Sequence, residues 1–281
     1  AMLYNSGMEI FWYGMMFVLG TIIGSFLNVV IYRLHTGKSL NGRSHCMTCG
    51  KTLSWYELFP IVSYLLLKGR CRSCAAYIPS RYLVVELLTG IAYVCTWYFF
   101  ATNFVLLGIY LLLISVLILI IVYDIRHTII PDELTAMIGG VAVLLLLYTY
   151  VTTKDLSDVY ESVGAGLCAA TFFWGLWYVS KGRWIGLGDA KLALPLGIIV
   201  GIGGVFSMVV FSFWIGAALS LTLLGIEKLL KRGKTHLSFL GTPLTMKSEV
   251  PFAPFLIAAF LLVQLLHADI FTLTYTVLFS E

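Results

Sequence analysis

Residues 104–124 read FVLLGIYLLLISVLILIIVYD: twenty uncharged residues, of which one is a serine, followed by Asp124. A helix needs about 20 apolar residues to cross a bilayer, so this run predicts a membrane span. A carboxylate that persists at the end of such a span is costly to keep near lipid, which makes Asp124 a functional candidate. The stretch predicts a membrane protein with a site at the end of one helix.

The composition of the whole chain agrees with this stretch. Of the 281 residues, 60% are hydrophobic and 11% are charged, and the mean hydropathy is +0.94. These values predict an all-α polytopic membrane protein with about eight transmembrane helices. Glycines at positions 201, 203 and 204 separate the sixth span from the seventh. The expected spans are residues 10–32, 82–101, 104–123, 133–151, 160–180, 190–204, 205–226 and 252–268.

Lysine and arginine are distributed unevenly among the loops. Residues 33–81 contain eight of them against one acid, Glu57, and the segments 181–183 and 228–247 are also basic. Because basic loops tend to stay in the cytoplasm, these three are predicted to be cytoplasmic. Eight spans that start from an outside N-terminus place every lysine and arginine on that side except Lys154.

Four cysteines lie in the polar segment as two CxxC pairs with 21 residues between them: Cys46 and Cys49, then Cys71 and Cys74. Each pair can supply two thiolates from one tight turn, so the spacing predicts a tetrahedral zinc site. Two disulfides are the alternative, but disulfides rarely persist in the reducing cytoplasm. Four cysteine ligands leave no open position, so the zinc is predicted to be structural.

Cys95 and Cys168, in apolar spans, are expected to be buried.

These features divide the chain into three parts. Residues 1–32 are predicted to form an N-terminal transmembrane anchor, since the positive charges follow the apolar run and do not precede it as in a signal peptide. Residues 33–81 form the small cytoplasmic zinc insert between the first two spans, and residues 82–281 form a transmembrane core. A segment as short as the insert buries little apolar surface, so a metal would stabilise it.

A second acid, Asp189, opens the sixth predicted span in WIGLGDAKL at residues 184–192. Asp124 ends an inward span and Asp189 begins an outward one, so both are predicted at the cytoplasmic face. Two close carboxylates share a proton, and one can activate water while the other protonates the scissile amide. Gly186 and Gly188 would let an extended substrate approach and give flexible φ at the helix start. Either acid alone could instead cap a helix.

Asp132 competes for a catalytic role because it shares a loop with Asp124. Its context, Pro131-Asp132-Glu133, is typical of a helix start, where a carboxylate caps N–H groups. We therefore expect Asp132 to support the structure or bind substrate. Lys191 would either stabilise an ionised acid or extend to the membrane surface, and the second role is favoured.

Four residues inside the apolar spans have expected roles in packing or bonding. Gly20 and Gly24 have the small-residue spacing of closely packed membrane helices. Asn28 and Glu86 are polar groups in apolar runs, and we expect them to hydrogen-bond within the bundle or contact substrate.

Six further motifs extend along the chain. They are GSFLNVVIYRL at residues 24–34, WYELFPIVSY at 55–64, KGR at 68–70, RYLVVELLTG at 81–90, GLGDAK at 186–191 and VPFAPF at 250–255. Together with the CxxC pairs and the segment from Asp124 to Asp132, they resemble the bacterial type IV prepilin peptidases, also called leader peptidase/N-methyltransferases, of the GxGD aspartyl protease group. The likeness extends from about residue 20 to 260.

The resemblance implies an inner-membrane enzyme that cleaves leaders from type IV prepilins and type II pseudopilins on the cytoplasmic side and then N-methylates the new terminus. Asp124 and Asp189 match the family's catalytic pair. The expected cofactors are structural zinc and S-adenosylmethionine, with Gly69 and Arg70 as the expected contacts of the methyl donor. The expected partners are prepilins and the lipid bilayer, and the basic cluster at residues 228–234 is expected to meet anionic lipid, not nucleic acid.

Two other classes of protein remain open. A GxGD protease of the presenilin or preflagellin peptidase type also pairs an aspartate with this motif, although the cysteine insert and VPFAPF argue against it. An ion-coupled transporter would use the acids as ligands, and the glycine-interrupted sixth span would suit it. No corresponding broken helix is predicted in the other half of the chain.

Overall fold

The computed structural model describes residues 6–34, 41–232 and 251–270. Within these ranges the chain forms helices, loops and two isolated bridges, which confirms the predicted all-α class. Val250 of the VPFAPF motif lies outside the described residues, as do the side chains of the basic cluster from residue 228. The helices are α1 (Ser6–Arg33), α2 (Val62–Leu66), α3 (Arg81–Phe100), α4 (Phe104–His127), α5 (Asp132–Thr153), α6 (Leu156–Ser180), α7 (Leu187–Val200), α8 (Ile202–Arg232) and α9 (Ala253–Leu266), with a 3-10 turn at Trp55–Leu58.

Each of the eight predicted spans coincides with a helix. Six of these helices, α1, α3, α4, α5, α6 and α8, are long and apolar enough to cross a membrane. The other two, α7 and α9, have 14 residues each, which is about 21 Å and shorter than the roughly 30 Å apolar core of a bilayer. The break after α7 lies at Gly201 alone, where φ is +75°, and α8 already contains Gly203 and Gly204.

The chain forms two compact units, residues 1–122 and 123–281, so the predicted boundary at 81/82 falls inside the first unit. In this unit α1 packs against α3 through glycines. A Cβ atom at Gly20 would lie 2.7 Å from the carbonyl oxygen of Thr89, and one at Gly24 would lie 2.9 Å from the Cα of Glu86. Glycine alone allows this approach, which confirms the predicted small-residue packing.

The second unit is built around the short helix α7, which packs against α5, α6, α8 and α9. Leu192, Ala193 and Leu196 of α7 are fully buried. A Cβ atom at Gly197 would lie 2.9 Å from the Cα of Gly166, so α6 and α7 also meet backbone to backbone. Neighbouring helices therefore cover α7 and fix the position of its first turn.

Candidate active site

Asp189 lies in the first turn of α7. Gly186 is the N-cap residue, and its N–H donates to the Oδ2 of Asp189 at 3.1 Å. The carboxylate thus bonds an N–H group at the helix start, where the helix dipole favours negative charge. The side chain is held in place and only 6% of the residue is exposed.

Asp124 lies in the last turn of α4 and is 4% exposed. The backbone N–H of Ala253, the first residue of α9, interacts favourably with its carboxylate. The Oδ2 of Asp124 is buried and has no hydrogen-bond partner among the described residues. A buried carboxylate oxygen without a partner is uncommon in structural roles, because its desolvation is not compensated.

The second unit brings the two acids together, as the sequence predicts. The charges of Asp124 and Asp189 lie close enough to repel each other. Two buried carboxylates in this arrangement share a proton more easily than they both ionise. The open Oδ2 of Asp124 can take part in that sharing or accept a hydrogen bond from a water molecule. The pair has the composition of an acid/base dyad.

The glycines beside Asp189 do not adopt the special φ that the sequence predicts, and the approach of a substrate past them stays a prediction. Gly186 has φ −74°, so the helix start does not use the flexible φ of glycine. A Cβ atom at Gly188 would lie 3.1 Å from the Cβ of Ile130, in the loop that follows Asp124. Gly188 therefore lets the loop after α4 pack against α7, and this packing brings the two acid-bearing segments together.

Asp132 begins α5 as predicted, but its carboxylate does not cap the helix. Lys191 donates through Nζ to both carboxylate oxygens of Asp132, at 2.7 and 2.9 Å. Asp132 is therefore an ion-pair partner, and Lys191 binds it instead of extending to the membrane surface. The two side chains are 72% and 46% exposed, so solvent screens this pair and leaves it worth at most about 1 kcal/mol.

The four cysteines of the insert converge in the first unit. Their Sγ atoms all lie within 4.8 Å of one another, and all four thiols are free. The two CxxC turns repeat the same backbone bonds, from Cys46 N–H to the oxygen of Lys51 at 2.9 Å and from Cys71 N–H to the oxygen of Ala76 at 2.8 Å. Two like turns that face each other form a four-ligand cage that could hold a metal ion.

The thiols of the cage differ in acidity. Backbone N–H groups of Cys49 and Thr48 bond the Cys46 sulfur and lower the pKa of its thiol to about 6. At Cys74 the N–H of Ala76 acts in the same direction, but partial desolvation and the three neighbouring thiols outweigh it and raise the pKa of this exposed thiol to about 11. The cage therefore offers thiolate in its first turn, and a bound cation would stabilise the remaining thiolates.

Models of two known protein families match parts of both units. Residues 18–100 match the bacterial peptidase A24 N-terminal domain, and residues 111–221 match the type IV leader peptidase family. A prepilin leader peptidase/N-methyltransferase of Klebsiella pneumoniae is 32% identical over 68% of this chain and 86% of its own length.

The chain belongs to the type IV leader peptidase family. The enzyme of the same name from Vibrio cholerae serotype O1 is 32% identical over 72% of this chain and 85% of its own. The one from Myxococcus xanthus is 32% identical over 74% of this chain, which spans 62% of that relative's length. No solved structure matches the chain significantly. The membership confirms the resemblance seen in the motifs: the chain is an enzyme, a multi-pass membrane peptidase, and this favours a protease over a transporter.

The first unit of this leader peptidase also contains a cavity of about 240 Å³. Its wall combines residues of α1 and α3 with residues of the insert, among them Asn28, Tyr82, Glu86, Tyr64 and Cys46. The cavity thus extends from the membrane helices to the cysteine cage. It is a concave site with a few polar groups, as small-molecule sites usually are.

The structure does not place Gly69 and Arg70 on this cavity, although the sequence made them the expected methyl-donor contacts. Gly69 has φ +66°, and a Cβ atom there would lie 2.9 Å from the Oη of Tyr64. Arg70 forms the isolated bridge to Tyr77 that closes the second CxxC turn. Both residues shape the cage.

Asn28 and Glu86 are hydrogen-bonded within the first unit, as expected. The Nδ2 of Asn28 donates to the oxygen of Tyr82 at 3.2 Å, and the N–H of Ile61 donates to the Oε2 of Glu86 at 2.7 Å. Glu86 thereby ties the insert to a membrane helix. Ala253, whose N–H reaches Asp124, was not predicted, although Pro254 in the VPFAPF motif is a helix-start signal that locates it.

Proposed function

We propose that the chain is an aspartyl endopeptidase of the inner membrane that removes leaders from type IV prepilins and type II pseudopilins and then N-methylates the new terminus. The observation that carries the proposal is the buried pair Asp124, in the last turn of α4, and Asp189, in the first turn of α7, of which Asp124 has an open carboxylate oxygen. The relatives' names support the substrate class and the second activity.

The pair supplies both proton transfers that amide hydrolysis needs. The ionised carboxylate removes a proton from water as the water oxygen attacks the scissile carbonyl carbon. The protonated carboxyl donates to the developing oxyanion. When the tetrahedral intermediate collapses, a proton passes to the amide nitrogen and the C–N bond breaks. Gly186 N–H and Ala253 N–H hold the two carboxylates in place throughout.

The cleavage site faces the cytoplasm in this proposal. The basic segment 33–81 and the short basic segment at 181–183, just before Asp189, support that side. Since Asp124 ends one helix and Asp189 begins another, both lie near a membrane surface. A scissile bond at the junction of a polar leader and an apolar helix would lie at the same depth.

The metal in the cage is proposed to be a structural zinc ion. Zn–S bonds of about 2.3 Å in a tetrahedron place the sulfurs about 3.8 Å apart. The Sγ atoms of Cys46 and Cys74 are 3.8 Å apart, so the cage needs little rearrangement. With four thiolate ligands the ion orders the insert and leaves the wall of the cavity in place.

Methyl transfer is proposed to take place in the cavity of the first unit, with S-adenosylmethionine as donor. The cavity is lined by residues of α1, α3 and the insert, and Asn28 and Glu86 are among its polar lining residues. The donor supplies an electrophilic methyl group on a sulfonium centre, and the chain supplies the walls that hold donor and acceptor together.

One experiment tests both activities. The purified full chain in liposomes is incubated with a prepilin and S-adenosylmethionine, and mass spectrometry follows leader loss and the mass of the new terminus. Wild type should give a shortened, N-methylated product. Asp124→Asn and Asp189→Asn should each leave the prepilin intact. Leader removal that persists in both variants would refute the aspartyl mechanism.

A further inference from the structure

We propose that Glu86 binds the new α-ammonium group of the cleaved product and accepts its proton before methyl transfer. The inference rests on the methyltransferase function proposed above and names the residue that would prepare the acceptor nitrogen. It concerns a carboxylate that the peptidase chemistry of the second unit leaves unused.

Glu86 is a buried acid without a cation to neutralise it. It is 8% exposed, lies on the cavity wall, and bonds the Ile61 N–H through Oε2, with Ser25 beside it. Among the described residues no lysine, arginine or histidine pairs with it. A buried unpaired carboxylate is costly, so the cavity is electrostatically suited to a positively charged ligand.

The cationic side chains on the cavity wall have other partners. The Nη1 of Arg33 donates to the oxygen of Asn41 at 3.1 Å, and the guanidinium of Arg72 lies 5.3 Å from the ring centre of Tyr56. Glu86 is also fixed in position. The Ile61 residue that it bonds has φ +61°, a conformation that a β-branched residue adopts only when its surroundings hold it there.

Three cationic groups would enter this cavity: the sulfonium and the α-ammonium of the donor, and the α-ammonium of the peptide. A sulfonium offers no N–H group to a carboxylate, and the ammonium of the donor has the donor's own carboxylate beside it, whereas the peptide ammonium has no neighbouring carboxylate of its own. The bond from the Ile61 N–H uses Oε2, so the second carboxylate oxygen is the one that would face the ammonium group. The uncompensated charge of the peptide terminus therefore favours the peptide nitrogen at Glu86.

The chemistry also requires a base. The α-amino group has a pKa near 7.7–8.0 and is mostly an ammonium ion at neutral pH, which cannot attack a methyl carbon. Glu86 accepts one proton, the nitrogen lone pair attacks the methyl carbon, and the C–S bond breaks with its electron pair on sulfur. The products are an N-methylammonium terminus and a neutral thioether, and Glu86 then releases its proton to water.

Glu86→Gln separates this role from a structural one, because the amide oxygen of Gln still accepts the Ile61 N–H. Glu86→Ala removes both the acceptor and the charge. The Glu86→Gln variant of the whole chain should remove leaders at the rate of wild type. Its kcat for methyl transfer should fall by about 100-fold or more. Its KM for S-adenosylmethionine should change by less than about threefold, since neither the sulfonium nor the ammonium of the donor binds Glu86 in this proposal. Glu161→Gln, at an exposed position of α6, is the matched control.

A binding measurement gives a readout that does not depend on turnover. A fluorescent peptide with the N-terminal sequence of the mature pilin is titrated with its α-amine free or N-acetylated. Wild type should bind the free amine at least about tenfold more tightly, and Glu86→Gln should bind both forms equally.

Three results would overturn the proposal. If Glu86→Gln methylates like wild type and only Glu86→Ala fails, the residue has a purely structural role. If the KM for S-adenosylmethionine rises and the peptide preference stays, the carboxylate binds the donor and not the peptide terminus. If wild type cleaves but never methylates, the proposed methyltransferase function fails together with this inference, whereas the first two results leave that function standing.

Discussion

The two compact units hold their reactive groups by different physical means. In the second unit, Asp124 and Asp189 are 4% and 6% exposed, and packed helix ends fix them. In the first unit, Cys49 and Cys74 are exposed, and two short turns with a few backbone bonds hold the four thiols. Helix packing alone can maintain the first kind of site. The second kind would gain rigidity from an ion bound to the four thiols.

The largest effect is expected where charge is removed from the packed site. Asp124→Asn and Asp189→Asn keep the shape of the side chain but lose its charge, so kcat/KM for leader cleavage should fall by about 10⁴-fold or more. Asp132→Asn, an exposed acid in the same loop as Asp124, should stay within about threefold of wild type. Equal losses in all three variants would show that exposure does not separate catalytic from structural acids here.

A smaller and selective effect is expected from breaking the cage. The double variant Cys46→Ser/Cys71→Ser removes one ligand from each turn, so the protein should lose its metal and about 100-fold in methylation rate. Leader cleavage by the second unit should fall by less than about tenfold. Elemental analysis and the two activity assays provide the readouts, and Cys95→Ser, outside the cage, is the control. Loss of both activities to the same extent would mean that the two sites depend on the same ion.

Gly188→Ala tests the packing that brings the two acid-bearing segments together. The added Cβ would lie 3.1 Å from the Cβ of Ile130 and should push the loop after α4 away from α7. We expect cleavage to fall by about tenfold, because small shifts of catalytic groups are costly. Gly164→Ala, where a Cβ meets nothing within 4 Å, is the matched control and should leave cleavage unchanged. A fully active Gly188→Ala enzyme would show that this packing is not needed to position the two acids.

The smallest effect is expected at the exposed ion pair. Lys191→Met leaves Asp132 without its partner but keeps a side chain of similar length. The free energy of unfolding in mixed micelles should fall by less than about 1 kcal/mol, and high salt should reduce the difference. A loss of several kcal/mol would mean that the pair is shielded from solvent.

The sequence predicted the parts of this enzyme that depend on local patterns. The long apolar runs predicted the helices, the CxxC spacing predicted the cage, and the positions of Asp124 and Asp189 at ends of spans predicted their pairing. Cys95 and Cys168 are exposed, contrary to expectation. An apolar residue in a membrane protein can face lipid as well as the interior, so hydropathy alone does not predict burial.

Some contacts between distant parts of the chain were not predicted. The N–H of Ala253 contacts Asp124 although the two residues are far apart along the chain. Lys191 of α7 binds Asp132 of α5. The methyl-donor prediction at Gly69 and Arg70 followed proximity to the second CxxC turn. The cavity lies where α1, α3 and the insert meet, and Gly20 and Gly24 allow the close packing of α1 against α3; contact of Gly69 and Arg70 with the methyl donor stays a prediction.

A double-mutant cycle tests most directly whether the two aspartates act as one unit. Cleavage of a prepilin by full-length enzyme in liposomes is measured for wild type, Asp124→Asn, Asp189→Asn and the variant with both changes. If the carboxylates share one catalytic task, the double variant should be no slower than either single variant, and its residual rate should equal theirs. Independent losses that multiply in the double variant would contradict the dyad.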